Sequence, residues 1–199
     1  IGVMALEEAP VKELIERHKF REGPILRFEK YPSVKYQKAA TNYSKKLNWR
    51  KENIEAFSEG KILENPVLAA QLSLAKSKLR AFQNGTIKAS EVFDVKKAVK
   101  YLALATLWNS YHSLEWEDIR LYFNPVTHLF EFISGDTSLH INYDWGGAVY
   151  DYVAKESVSY PILSDPELQE AFIVEMQRIT HDDYIKDLVE FVKTQEKQY

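Results

Sequence analysis

Asp118 and Asp136 bracket the segment "DIRLYFNPVTHLFEFISGD". Two short runs of alternating apolar residues flank an Asn-Pro pair, so the segment is expected to fold back on itself as a tight hairpin. A hairpin brings its two ends near each other, and residues 118 and 136 could then share one ion. Mg²⁺ takes oxygen ligands and needs only one or two protein carboxylates, completing its shell with phosphates and water. From spacing alone, the plainer account is two solvated carboxylates at strand ends, because Asp is common at turns.

The elements that would position these acids follow from periodicity. "AVKYLALATLW", within a helix expected from about Ser90 or Asp94 to Trp108, is apolar nearly all round, which predicts a helix buried in the domain centre. "NSYHSLEWED" follows, polar with interleaved aromatics. In "DIRLYF", Ile119, Leu121 and Phe123 share one face, and Arg120 and Tyr122 the other. "HLFEFIS" returns as the second strand, with Gly135 just before Asp136 and His128 expected to be exposed by the turn.

Upstream, "GVMALEE" suggests a short strand, "PVKELIERHKF" a helix opened by Pro10, and "GPILRFEKYP" a second strand. Residues 31–47 are expected to be mostly loop, and "NWRKENIEAFSEG" a short helix capped by Asn48. "NPVLAAQLSLAKSKLRAFQNG" predicts a helix ended by Asn84-Gly85, with Val67, Leu68, Leu72, Leu74, Leu79 and Phe82 as its apolar surface. Downstream, "WGGAVYDYVAKE" is expected to be helical, and "SDPELQEAFIVEMQRI" a helix capped by Ser164 or Asp165. "THDDYIKDLVEFVKTQEKQ" predicts a last helix with a capping box from Thr180 to Asp183 and Ile185, Leu188, Val189 and Val192 as its apolar residues.

The order of these elements matters for chemistry. Protein-kinase-like folds run from a buried helix into a catalytic loop, H-R-D-x-x-x-x-N, then a hairpin, then the metal-binding Asp of D-F-G. In that loop the Asn lies five residues after the catalytic Asp. Asp118 falls at the Asn position, Ser113 five residues before it with His112 alongside, and Asp136 at the D-F-G position.

"GVMALEE…KELIE…REGPILRFE", "YLALATLWNSYHSLEWEDIRLYFNPVTHLFEFISGD" and "YPILSDPELQEAF" resemble the spore-coat protein H (CotH) kinase-like family. The resemblance covers roughly Gly2 to Val192, with a poorer match over residues 31–60, and its most specific part is the "IRLYFNP" hairpin entering Gly-Asp. It implies an α+β, mostly helical chain forming the C-lobe of an atypical protein-kinase-like fold, with a central β-hairpin at about 118–133. It implies ATP and Mg²⁺ as cofactors, a protein substrate or an envelope or coat protein as partner, and a location at the cell surface, in secretion or in the spore coat.

Carried over residue by residue, the resemblance makes Asp118 and Asp136 metal ligands, with Asp118 where the family usually has Asn. The catalytic Asp position holds Ser113 or, one residue shifted, His112. A His takes up protons near neutral pH and a Ser does not, so His112 is the candidate base. This departure leaves nucleotide binding less affected than phosphoryl transfer. Glu7 and Glu8 resemble the end of the hinge strand that holds the adenine edge, which makes Glu8 the cofactor-binding candidate. No Gly-x-Gly-x-x-Gly and no Walker A motif occurs in the chain. The expected outcome is a C-lobe that is inactive alone; the alternative is a pseudokinase, a binding or scaffold module without catalysis.

Other chemistries find less support. With 199 residues, 45% hydrophobic, the chain has material for one core, here expected as a single domain with a hinge-like strand at 2–8, a helical lobe at 10–108, the loop and hairpin at 109–136 and C-terminal helices at 145–197. A net charge of −3 without a basic stripe argues against nucleic acid. The absence of cysteine excludes disulfides and thiolate metal sites. No apolar run is long enough to span a membrane. The chain opens at Ile1 directly in "IGVMALEE", and is expected to be a piece of a longer protein. The five His residues, at 18, 112, 128, 140 and 181, show no zinc-type spacing, and "HINYD" fits a solvated strand face. Glu115 and Glu117 flank Trp116, but spacing in sequence does not set a glycosidase's carboxylate separation.

Overall fold

A computed structural model describes residues 10, 12–29, 49–108, 110–114, 116, 118–135 and 159–196, and for residues 111, 112 and 196 the backbone alone. The strand expected at 2–8, the loop at 31–47, the helix expected in "WGGAVYDYVAKE", the "HINYD" segment, Glu115 and Glu117 lie outside these residues.

Four antiparallel strands form one sheet: β1 (Ile25–Phe28), β2 (Ile54–Ala56), β3 (Arg120–Phe123) and β4 (Phe130–Ile133), in the order β2-β1-β3-β4. The helices are α1 (Lys12–Arg17), α2 (Glu59–Leu63), α3 (Pro66–Gln83), α4 (Val95–Leu107), α5 (Ser159–Leu163), α6 (Pro166–Ile179) and α7 (Asp182–Glu196). The described chain is α+β and mostly helical.

Strand alternation decides the packing. Leu26 and Phe28 on β1 point with Ile119, Leu121 and Phe123 into the main core, against Leu72 and Leu79 of α3 and Leu102 of α4. The opposite face of the sheet is also covered in part: Tyr122 and Ile25 pack on Ile15 of α1. A run of aromatic contacts crosses the core. Phe28 meets Trp49, Trp49 meets Phe82, Phe82 meets Phe93, Phe93 meets Phe132 and Phe132 meets Tyr101, with ring centroids 4.7–5.7 Å apart. Such pairs add about 0.5–1.5 kcal/mol each beyond the area they bury.

Capping sets the helix limits. Asn65 accepts from the amides of Val67 and Leu68 at the start of α3, and Gly85 follows its end at φ +70°, a left-handed conformation that glycine adopts without strain. Asp94 caps α4 through the Lys97 amide, while Ser90 belongs to a separate 3₁₀ turn, Ala89–Glu91. Of the two cap candidates for α6, Asp165 is the one that bonds, to the Glu167 amide.

Several expectations need correction. Residues 49–58 hold no α-helix: a 3₁₀ turn, Trp49–Lys51, leads into β2, which pairs with β1, and α2 begins only at Glu59; the expected cap, Asn48, lies outside the described residues. Long-range bonds decide it, since Gln83 Nε2 donates to the carbonyls of Trp49 and Glu52, and Arg80 to that of Glu52. On α3, Val67 and Leu74 face solvent, and Leu72, Ala75, Leu79 and Phe82 form the buried stripe. α4 is not buried all round, because Leu104 and Trp108 are exposed. Thr180 forms no capping box: its hydroxyl donates backwards to the Met176 carbonyl, and the Asp183 amide donates to the His181 ring. On α7, Ile185, Val189 and Val192 are exposed.

Candidate functional site

The end of α4 leads through Ser110 into the 3₁₀ turn Tyr111–Leu114 and on to Asp118 at the mouth of β3. This connection is fixed from inside. The Tyr101 phenol, on α4, donates to the Ser113 carbonyl at 2.7 Å. The Ser113 hydroxyl donates to the Ser110 carbonyl at 2.6 Å, and the Ser110 amide to the Ala105 carbonyl. Trp116 turns inward and meets Phe28 edge-on, and Ile119 enters the core. Burial pushes the Tyr101 phenol up to about 12, where it stays a donor at any physiological pH; the hydrogen bond to Ser113 and the Arg120 charge act against the rise, and Asp118 adds to it.

Ser113 is therefore no candidate for proton chemistry. It is 1% exposed and its hydroxyl is engaged with the Ser110 backbone. His112 shares the same turn, with its side chain outside the description. Asp118 is half-buried at the junction of loop and strand. Glu8 and Asp136 lie outside the described residues, so of the residues expected to hold metal or nucleotide the structure places Asp118 alone. Among the described residues no group of three or more His, Asp or Glu gathers as a metal cluster. The Mg²⁺ site expected from the sequence needs only the carboxylates of Asp118 and Asp136, and a half-exposed carboxylate at a strand mouth fits the oxygen-donor chemistry such an ion requires.

The hairpin is held rigidly behind Asp118. Asn124 Oδ1 accepts from the Val126 and Thr127 amides and so shapes the turn, while its Nδ2 donates to Glu131 Oε1 at 2.8 Å. The other oxygen of Glu131, buried, meets Lys97 Nζ at 2.7 Å. The Tyr122 hydroxyl donates to the Arg21 carbonyl at 2.6 Å. Gly23 lets that segment come close, since a Cβ there would lie 2.5 Å from the Phe123 carbonyl oxygen. The Phe130 amide and carbonyl pair with Val92 and Asp94, tying β4 to the start of α4. His128 is exposed at the turn, as its position suggests, at φ 55° with its ring stacked on Phe123.

Comparison with protein-family models, with curated proteins and with solved structures found no match. Among the described residues, no helix is long and apolar enough to cross a membrane.

Sequence reasoning missed two groups near the hairpin. Glu131 and Lys97 were hidden because the partners sit on different elements. Arg27, Arg120 and Phe57 converge on the outer face of the sheet, where Arg27 and Arg120 lie 4.9 and 5.6 Å from the Phe57 ring centroid. The alternation of "DIRLYF" placed Arg120 on that face but not its neighbours from β1 and the end of β2.

Proposed function

We propose that this chain is part of a CotH-like atypical kinase domain, the C-lobe side of a site that binds ATP and Mg²⁺ and transfers phosphate to a protein hydroxyl. One observation carries the reading. The helix α4, buried along one face, runs into a turn pinned by Tyr101, and the chain then presents Asp118 at the mouth of a hairpin. That is the order of parts a kinase-type catalytic segment uses.

In this reading Asp118 and Asp136 would hold Mg²⁺, which neutralises charge on the phosphate oxygens during transfer. His112 accepts the proton of the substrate hydroxyl as that oxygen bonds to phosphorus and ADP leaves. The pinned turn serves orientation: a base has to sit within hydrogen-bond reach of the proton it takes.

A second reading is a pseudokinase that binds partners in a coat or envelope without catalysis. The engagement of Ser113 favours it, because the position of the family's catalytic acid then offers no side chain that can take a proton.

The experiment is phosphate transfer from labelled ATP by the full-length protein, with melting curves in Mg²⁺-ATP alongside. The kinase reading expects transfer that Asp118→Ala and Asp136→Ala abolish without loss of fold. A raised melting temperature without any transfer favours the binding module. No rise and no transfer removes the kinase reading and leaves the partner-binding module, which needs no nucleotide.

A further inference from the structure

A cleft of about 510 Å³ opens where α3 meets the hairpin turn, lined by Leu74, Ser77, Lys78, Ile87, Glu91 and His128. Three parts of the chain supply these residues: α3, the run from Ile87 into the 3₁₀ turn Ala89–Glu91, and the turn between β3 and β4. Asp118 precedes β3 and His128 follows it, so the cleft sits at the other end of the hairpin from Asp118. Its volume falls in the range of pockets that hold small organic molecules, about 300–1,000 Å³.

Two opposite charges line this cleft, and each is held by a backbone group. Lys78 Nζ donates to the His128 carbonyl at 2.7 Å, which ties α3 to the hairpin turn and leaves the other two N–H bonds of the ammonium without a partner among the described residues. Glu91 Oε2 accepts from the Lys88 amide at 2.9 Å, and its second oxygen accepts no bond among the described residues. The two charges sense each other but form no ion pair. Burial holds the Lys78 ammonium below the ordinary lysine value, and the Glu91 charge acts against that. A cation partly withdrawn from water attracts an anion more strongly than one in bulk solvent. The rest of the lining is apolar or uncommitted. Leu74 is 45% exposed and Ile87 half-buried, while the Ser77 hydroxyl and the His128 ring nitrogens make no hydrogen bond among the described residues. His128 also holds φ 55°, a conformation strained for a residue with a side chain, and such strain clusters at ligand clamps.

We propose that this cleft binds a short zwitterionic peptide with an apolar side chain, its terminal carboxylate on Lys78, its terminal ammonium on Glu91 and its side chain over Leu74 and Ile87. A ligand with a single charge would pair one wall and withdraw the other from water without compensation. A zwitterion answers both. The apolar side chain takes Leu74 out of water and adds the binding that exposed charges alone do not supply. Ser77 and His128 remain for the peptide group, since a hydroxyl and an imidazole each offer a donor and an acceptor. A single amino acid carries both charges on one carbon and leaves these two residues unused, so the fit is to a peptide of about two or three residues. The site needs neither nucleotide nor metal and does not depend on the kinase reading.

The test is calorimetric titration of the full chain at low ionic strength with dileucine, N-acetyl-dileucine, dileucine amide, diglycine and leucine. Dileucine is expected to bind, and each of the other four to bind about tenfold more weakly or not at all. Glu91→Gln should erase the difference between dileucine and its N-acetyl form while keeping the penalty for the amide. Lys78→Gln should erase the penalty for the amide and keep the other. Leu74→Ser, at an exposed position, should bring dileucine down to the diglycine level with an unchanged melting temperature. A merely structural role for Lys78 or Glu91 would weaken all the ligands alike. Absence of dileucine binding, or folded variants that keep the wild-type pattern, would overturn the site. N-acetyl-dileucine bound as tightly as dileucine would overturn the ammonium contact with Glu91, and leucine bound as tightly would overturn the assignment to a peptide.

Discussion

The Tyr101 phenol holds the Ser113 carbonyl at 2.7 Å while its ring stacks on Phe132 at 4.7 Å, nearly parallel. One side chain thus links a helix, a strand of the sheet and the turn that precedes Asp118. Tyr101→Phe keeps the stack and deletes the hydrogen bond, leaving a carbonyl unsatisfied. The expected loss is about 1–3 kcal/mol in a urea melt. An unchanged midpoint would mean that water replaces the phenol.

Ser113 and His112 are neighbours with opposite expected roles. Ser113→Ala removes the bond to the Ser110 carbonyl, at a cost of about 1 kcal/mol, and on the proposed kinase reading is expected to leave phosphate transfer in place. His112→Gln is expected to keep the melting temperature and lose transfer. Transfer lost equally in both variants would return Ser113 to the chemistry.

Asp165 joins two distant parts of the chain, accepting from the Ser90 amide at 2.7 Å and from the Glu167 amide at 3.2 Å. Burial pushes its carboxyl up, but the bonds from Ser90 and Glu167 and the Lys88 charge outweigh this, and it ends below the ordinary carboxylate value. A carboxyl whose value is lower in the folded than in the unfolded chain stabilises the fold above the unfolded value. That contribution is lost as pH falls through the folded value. The protein should therefore lose stability as pH drops below about 4, part of it through Asp165. Asp165→Ala should cost about 1–3 kcal/mol at pH 7 and flatten the acid limb of a stability-against-pH curve. An acid limb identical to wild type would assign the loss to other carboxyls.

Elements governed by local signals were legible in the sequence. Asn65, Asp94 and Asp165 mark helix starts, Asn84-Gly85 marks a stop, and the alternation in "DIRLYF" gives β3 its inner face. Elements governed by distant partners were not. Ile54–Ala56 is a strand because β1 lies beside it and because Gln83 and Arg80 bind the carbonyls of the preceding turn. Thr180 carries a capping signal, yet its hydroxyl is taken by the helix before it. At the site, counting five residues back from Asp118 finds Ser113, but only packing shows that its side chain is turned inward and engaged. The Arg27–Arg120 pair depends on strand order, which periodicity does not encode.

The strand order β2-β1-β3-β4 also has a consequence for how the protein is made. β1 and β2 leave the ribosome well before the hairpin that completes the sheet, so during synthesis one side of β1 stays open. An open strand edge is a template for pairing with another chain. The nascent protein is thus most exposed to misassembly while α3 and α4 are being added, and a chaperone that shields Ile25–Phe28 in that interval would protect it best.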